Sequence, residues 1–329
     1  MKLIYKTILF LLFLVLITGC GTKRLTVKSL HPSKIPNEKI HSIYIEDFVN
    51  DNLYQSLKIQ NKLANKNING KNVFKVLNNY NKTDARVEGI VDSSLNYYTY
   101  YEEEIDYRRC RSYRYEGKKG KKGKRKCMEY HVRLIPCENR VYNVQTNIKV
   151  LKDSTSEILF AKTYNRSRSI RECFRHHYYA YHTIPRNKRE INTKLADLIA
   201  SDFLDDISPH YVYFDINMIE ELNEKNLTFT DNQNKRFEKV TELMENRNLE
   251  LSLSELEKLN QEFNYKSYEV LYNMGLIYEA NANLFQANKL YKEAKLLVND
   301  LDNLSLINAA VLRTKQNLEE KIKAKSQLP

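Results

Sequence analysis

The rhythm of apolar and polar positions changes along the chain, and the change separates two kinds of structure. From residue 40 to residue 212, short alternating runs are interleaved with two amphipathic stretches. Residues 42–48 (Ser-Ile-Tyr-Ile-Glu-Asp-Phe) read as a first strand. Leu53, Leu57, Ile59 and Leu63 then recur at roughly helical spacing until Asn69-Gly70 breaks the pattern. Residues 73–77 form a short apolar run and residues 85–95 a third strand. Further on, Tyr142, Val144, Thr146, Ile148 and Val150 alternate strictly, as a half-buried strand requires. Residues 153–156 make a turn, and 158–165 return as the hairpin partner. Ile191, Leu195, Leu198, Ile199, Phe203 and Ile207 then draw one helix face, with Asn187 placed to cap it and Ser208-Pro209 to stop it. Residues 211–216 read as a strand leaving this domain. Beyond an acidic linker at 213–230, the spacing is helical from 231 to 329.

Strand, helix, strand, strand, long excursion, hairpin and helix, in that order, predict an α/β sandwich with its helices on one side. The whole chain is therefore α+β, with an all-α module following. The segments Ile43-Tyr-Ile-Glu-Asp-Phe48, Asp84-Ala-Arg-Val-Glu-Gly-Ile90 and Val150-Leu-Lys-Asp-Ser-Thr-Ser-Glu-Ile-Leu159, with the closing helix at 188–207, resemble the CsgG-like family of bacterial lipoproteins and the related N-terminal domain of TolB. The likeness covers about residues 40–210 and is one of pattern. The family places a helix between its second and third strands, for which residues 78–84 are too short. The resemblance implies a lipoprotein fold and, by the family's namesake, an oligomeric export or secretion channel.

The helical half is similar to the tetratricopeptide repeat. Counting from Tyr268, the marker positions fall on Leu271, Met274, Gly275, Tyr278, Ala287, Tyr291 and Ala294. Gly275 and Ala287 permit a close helix crossing. One repeat cannot bury its faces alone. Phe237, Val240, Leu243 and Met244, then Leu253, Leu256, Leu259 and Phe263, supply a degenerate repeat before it, and the helix carrying Leu304, Ile307, Val311 and Leu318 supplies a cap. Such modules bind partners in a groove lined by first helices, which makes Tyr272, Asn273 and Leu276 candidate groove residues. A module that packs on its own chain or makes an oligomer is the alternative.

The N-terminus sets the compartment. Lys2 and Lys6 precede an apolar run from residue 8 to 17, too short to span a bilayer but right for a signal-peptide core. Ile17-Thr-Gly-Cys20 resembles a lipobox, so residues 1–19 read as a lipoprotein signal peptide and Cys20 as the lipidated residue that anchors the protein to a membrane. Gly21, rather than Asp, leans towards the outer membrane. Residues 20–39 read as an extended tether, leading to a protein that faces the periplasm. That compartment is oxidising. The four remaining cysteines, Cys110, Cys127, Cys137 and Cys173, allow three pairings. Cys110–Cys127 with Cys137–Cys173 is favoured, because the first closes a short loop.

Of the chain's net charge of +12, residues 107–126 carry +10, with eleven Lys or Arg against Glu116. The rest is close to neutral, unlike a nucleic-acid binder with a basic folded face, and the compartment also argues against nucleic acid. This segment lies in an insert, residues 96–140, between the third and fourth strands. Residues 107–126 offer no apolar face for lipid, where each cation would cost about 2–4 kcal/mol at the midplane. Two readings stay open: a solvated loop pinned by a disulfide, or an anion-contacting loop for lipid or glycan headgroups, carried by Arg108, Arg109, Lys118, Lys119, Lys121 and Lys122.

Chemistry is otherwise thin. With 8 glycines the chain has no Gly-x-Gly-x-x-Gly, and Gly123-Lys124 is followed by Arg125 where a phosphate loop needs Ser or Thr. Neither His-Glu-x-x-His nor Gly-x-Ser-x-Gly occurs. His176, His177 and His182, near Cys173, read as an aromatic loop rather than a metal site. The pairs Asp205-Asp206 and Glu220-Glu221 read as solvated. The sequence thus predicts no catalytic residue, metal or cofactor. It leads to a non-catalytic, lipid-anchored envelope scaffold recruiting a protein partner through its repeats. A homo-oligomeric channel subunit and an envelope receptor for anionic lipid or glycan are the alternatives.

Overall fold

A computed structural model describes residues 22–35, 39–79, 83–116, 124–174, 187–224 and 227–329. It divides into two compact units, one spanning Ser33–Ser208 and the other joining the N-terminal segment up to Pro32 with Pro209–Leu328.

The first unit is a five-stranded mixed sheet with two helices. Its strands are β2 (Ser42–Ile45), β5 (Lys75–Leu77), β6 (Ala85–Glu116), β7 (Lys124–Lys152) and β8 (Ile158–Cys173), in the order β5-β2-β6-β7-β8. The pairings of β2 with β5 and with β6 are parallel, and those of β7 with β6 and with β8 are antiparallel. Helix α1 (Gln55–Ala64) and helix α2 (Lys188–Ile207) pack on this sheet. A small ribbon of β3 (Asn67–Ile68) and β4 (Lys71–Asn72) follows α1. Asp51 caps α1 from four residues upstream, accepting from the backbone N–H of Gln55 at 2.6 Å and of Ser56 at 2.8 Å. Along α2, Ile191, Leu195, Ile199, Phe203 and Ile207 are buried as the spacing requires, with Ala196 and Ala200 between them. Leu198, expected on this face, is instead exposed, because it falls off the stripe that meets the sheet.

The segments behind the family resemblance form a structural lock. The Asp84 carboxylate accepts from the N–H groups of His41 and Ser42. The amides of Glu46 and Val49 donate to Val87 and Gly89. The buried Phe48 ring lies directly over Gly89, where an added Cβ would sit 2.5 Å from it. Residues 78–79 and 83–84 of the connection into β6 are not helical, in keeping with its shortness.

The second unit corrects two expectations. Residues 24–31, read as part of a tether, form strand β1 (Arg24–His31), which pairs antiparallel with β9 (His210–Asn217). Leu25 and Val27 point into a core shared with the helices. The strand read at 211–216 is β9, and the supposed linker that follows it places Met218, Ile219 and Leu222 in the core. Alternation decides the outcome: Leu25 and Val27 share one face of a strand, and burying that face outweighs solvating the lysines beside it. Five helices complete the unit: α3 (Asp231–Glu245), α4 (Leu249–Glu262), α5 (Tyr268–Ala280), α6 (Leu284–Leu297) and α7 (Leu301–Ser326). Thr230 and Gln233 form a capping box on α3, and Ser267, Asn283 and Asp300 cap α5, α6 and α7. At the tight α5/α6 crossing, a Cβ on Gly275 would come within 2.8 Å of the Tyr291 ring.

Candidate functional site

The insert is the outer part of one long arm. At the level of Ser94, whose carbonyl meets the Asn192 amide of α2 at 3.5 Å, β6 and β7 are still part of the sheet. They then run on, paired to Glu116 and Lys124, in one register as far as Asp106 and with shifts from there to Tyr113. Among the described residues β8 accompanies them to Cys173, opposite Cys137, and the Phe174 amide donates to the Pro136 carbonyl at 2.8 Å. At about 3.4 Å per residue, the 32 residues of β6 correspond to roughly 100 Å of strand. Tyr, Ile, Val and Thr at 97–107 and 130–146 suit a pleated ribbon, and alternation continues where charge replaces apolar residues.

Two disulfides brace the arm. Cys137–Cys173 bridges a directly paired position of β7 and β8. Cys110–Cys127 spans the stretch where the β6/β7 register slips, between Asp106 and Tyr113. The second bond holds together an end that repels itself. Arg108, Arg109, Arg111, Arg114, Arg125 and Lys126 are all exposed there. Arg114 stands directly opposite Lys126, and like charges so placed are destabilising. Local carboxylates offset little: Arg109 lies 3.8 Å from Asp106 and Arg111 3.2 Å from Glu129, both exposed pairs worth about 0–1 kcal/mol. The Arg125 guanidinium stacks 3.5 Å above the Tyr113 ring. Arg108 and Arg114 have no carboxylate partner among the described residues. Tyr107 and Tyr115 are exposed beside them.

Of the anion-contact candidates, Arg108 and Arg109 thus stand on this arm. Lys118, Lys119, Lys121 and Lys122 lie outside the described residues, as do Cys20 and His176, His177 and His182. Arg111, Arg114 and Arg125, which stand with Arg108 and Arg109, were not among the anion-contact candidates, although the interleaving of Arg and Tyr through Tyr107–Tyr115 was visible in the sequence. Beside the inner disulfide, Glu102 approaches Cys137 and Cys173. The two sulfurs are bonded to each other and offer no thiolate, so this grouping does not form a metal site.

The predicted partner groove is filled by the protein itself. Tyr272, Asn273 and Leu276 are fully buried. The Tyr272 hydroxyl donates to the Asn217 carbonyl at 2.9 Å. The Asn273 amide donates to the Ile219 carbonyl at 2.8 Å, and its oxygen accepts from the Ile219 N–H at 3.2 Å. The segment leaving β9 thus occupies the place expected of an external peptide, and these three residues are not available to a partner. The apolar spacing of Ile216, Met218, Ile219 and Leu222 was the signal for this. Nearby, Glu279 is buried and pairs through both carboxylate oxygens with Arg313, at 2.9 Å each, while accepting from the Tyr291 hydroxyl at 2.8 Å.

Asp206, expected to be solvated, is also buried. It accepts from Lys34 and Lys162, each at 2.6 Å, and from the Tyr164 hydroxyl at 2.7 Å. Burial pushes its pKa up, but the three donors outweigh that and hold it below the usual carboxylate range. The same contact and burial push the Tyr164 hydroxyl far above its ordinary value. Glu220, likewise read as solvated, accepts from the Lys23 amide at 2.8 Å.

No family model and no curated protein matches the chain. Among solved structures, it is similar to the solution NMR structure of uncharacterized lipoprotein B from Nitrosomonas europaea, with 10% identity over 50% of this chain and 80% of that one and a TM-score of 0.25. A likeness this slight carries no argument about fold or function. Among the described residues, no helix is long and apolar enough to cross a membrane.

Proposed function

We propose that the chain is a non-catalytic cell-envelope lipoprotein, anchored through Cys20 and facing the periplasm. In this reading it uses the basic end of its arm to grip an anionic surface such as phosphorylated lipid or glycan headgroups. One observation carries the reading: Arg108, Arg109, Arg111, Arg114 and Arg125 are clustered and exposed around the Cys110–Cys127 disulfide, and among the described residues Arg108 and Arg114 have no carboxylate partner. Charge kept at a cost to the folded state points to a role in binding. The CsgG-like and tetratricopeptide-like readings of the two units remain part of this proposal, with the repeats serving as a rigid seat for β1, the strand nearest the anchor.

The test is to replace Arg108, Arg109, Arg111 and Arg114 by Gln and measure retention on an anionic matrix and on inorganic polyphosphate across a salt gradient. Binding that falls steeply with salt in the parent and is lost in the variant supports the reading. Equal binding by both sinks it. Metabolic labelling with a radioactive fatty acid, abolished by Cys20→Ser, tests the anchor. A second reading, an oligomeric channel built from such arms, is favoured by the arm's length. The mass of the detergent-extracted protein by light scattering tests it, since a monomer or dimer excludes a ring.

A further inference from the structure

Just below its basic end, the arm exposes a stripe of aliphatic side chains on one face. Directly paired residues in an antiparallel ladder share a face, and that face alternates along each strand. Tyr101 pairs with Pro136, Glu103 with Leu134 and Ile105 with Val132. The next residue of β7 on that face is Tyr130, against which Tyr107 packs edge-on with centroids 5.1 Å apart. This is the face that buries Val87, Val91, Val144 and Ile148 lower in the sheet. Along the arm Pro136 is still buried, but beyond it the face is largely exposed: Tyr101 is 57% exposed, Ile105 48%, Val132 55% and Leu134 56%. The other face exposes mainly polar groups, with Ile135 and Cys137 buried on it and Tyr98 exposed. There Glu102 pairs with Arg171 and Glu104 with Arg133, while Tyr98 accepts from Asn139.

We infer that this stripe is a docking surface for an anionic lipid bilayer, laid along the headgroup–acyl boundary while the cations at the end of the arm meet the phosphates. The inference rests on the proposed anion-binding role of those cations and narrows their target to a membrane. Charge complementarity selects the occupant. An apolar strip that runs into clustered Arg and Tyr matches the layering of an interface, with hydrocarbon below and phosphate and aromatic belt above. Glu103 sets the depth. Its carboxylate stands across from Leu134 inside the stripe, and a charge there is tolerable at the headgroup level but costly at the bilayer centre. The geometry therefore fits lying in the interface rather than spanning.

The chain contains no Trp, so a single introduced Trp reports its own surroundings. The full lipidated protein carrying Leu134→Trp is to be reconstituted into vesicles containing phosphatidylglycerol, and compared with His131→Trp, an exposed position on the polar face. The docking predicts a blue shift for Leu134→Trp, with quenching by lipids brominated near the top of the acyl chain. His131→Trp should show neither, and vesicles of phosphatidylcholine alone should weaken the effect. Unchanged emission from Leu134→Trp overturns the docking, as does an equal shift at both positions. Polyphosphate binding by the same samples separates the two claims. If it survives while the Leu134→Trp shift is absent, only the bilayer inference falls. If it is absent too, the anion-binding reading falls with it.

Discussion

The helical unit and the arm both offered themselves as partner sites, and the structure treats them in opposite ways. In the helical unit every polar group that suggested recognition is already engaged. Asn273 bonds both the N–H and the C=O of Ile219 and Tyr272 holds Asn217, while the neighbouring Glu279 is likewise shared between Arg313 and Tyr291. On the arm, Arg108 and Arg114 lack a carboxylate partner among the described residues, and Ile105, Val132 and Leu134 are half exposed. Buried groups that satisfy one another stabilise a fold and are silent towards a partner. Groups held in place at a cost, with their interactions unmade, are where a partner is to be sought.

The sharpest test of this contrast lies at Glu279. Glu279→Ala leaves the partly buried Arg313 guanidinium and the Tyr291 hydroxyl without their acceptor, and is expected to cost about 3–5 kcal/mol in urea denaturation. Asn273→Ala follows. It strands the N–H and C=O of a buried peptide and should cost about 1–3 kcal/mol. A residue lining an open groove would change stability by at most about 0.5 kcal/mol, so an unchanged denaturation midpoint would restore the groove. Gly89→Ala in the sheet unit should cost about 1–3 kcal/mol through collision with Phe48, and Phe48→Leu in the same chain should recover part of that.

How much of this was legible beforehand depends on the range of the interaction. The inner strands of the sheet and helices α1 and α2 follow from local spacing and side-chain chemistry. So does the close approach at Gly275, because small residues mark tight crossings in their own helix. The role of β1 was not legible. Its eight residues read as a tether because their partner, β9, lies almost two hundred positions away, and nothing local announces it. The same distance hid the fate of Asn273: its helix position showed that it faces a groove, not what fills the groove. On the arm the error was one of window. Counting residues 107–126 gave charge alone, whereas the apolar stripe runs across two strands, through Tyr101 and Ile105 on one and Val132 and Leu134 on the other. Only the register brings them together.

Acid should separate the two regions further. Because the folded pKa of Asp206 lies below its unfolded value of about 3.9, its stabilising contribution is fully present above that value and is lost as pH falls through the folded one. Asp206→Asn is expected to lower stability at neutral pH and to flatten the acid limb of the stability profile of the sheet unit. A variant whose acid limb matches the parent's would show that the Lys34–Lys162–Tyr164 cluster does not hold that carboxylate. Binding by the arm, which depends on arginines that stay charged throughout, should not follow the same curve.

The smallest expected effect is the most diagnostic for the arm, because its sign is at issue. If the cations near Cys110–Cys127 were there for the fold, removing them would loosen the hairpin. Arg114 faces Lys126 across the ladder, and Arg108 has no carboxylate among the described residues to lose. Arg108→Gln with Arg114→Gln is therefore expected to relieve repulsion worth about 0.2–1 kcal/mol. Backbone amides of residues 110–116 and 124–130 should then exchange with solvent more slowly, by about two- to fivefold, in native-state hydrogen exchange. Faster exchange would mean that these arginines support the ribbon and would remove the argument that their charge is reserved for a partner. Slower exchange, together with weaker binding to anionic vesicles, would show stability and function pulling in opposite directions on the same residues.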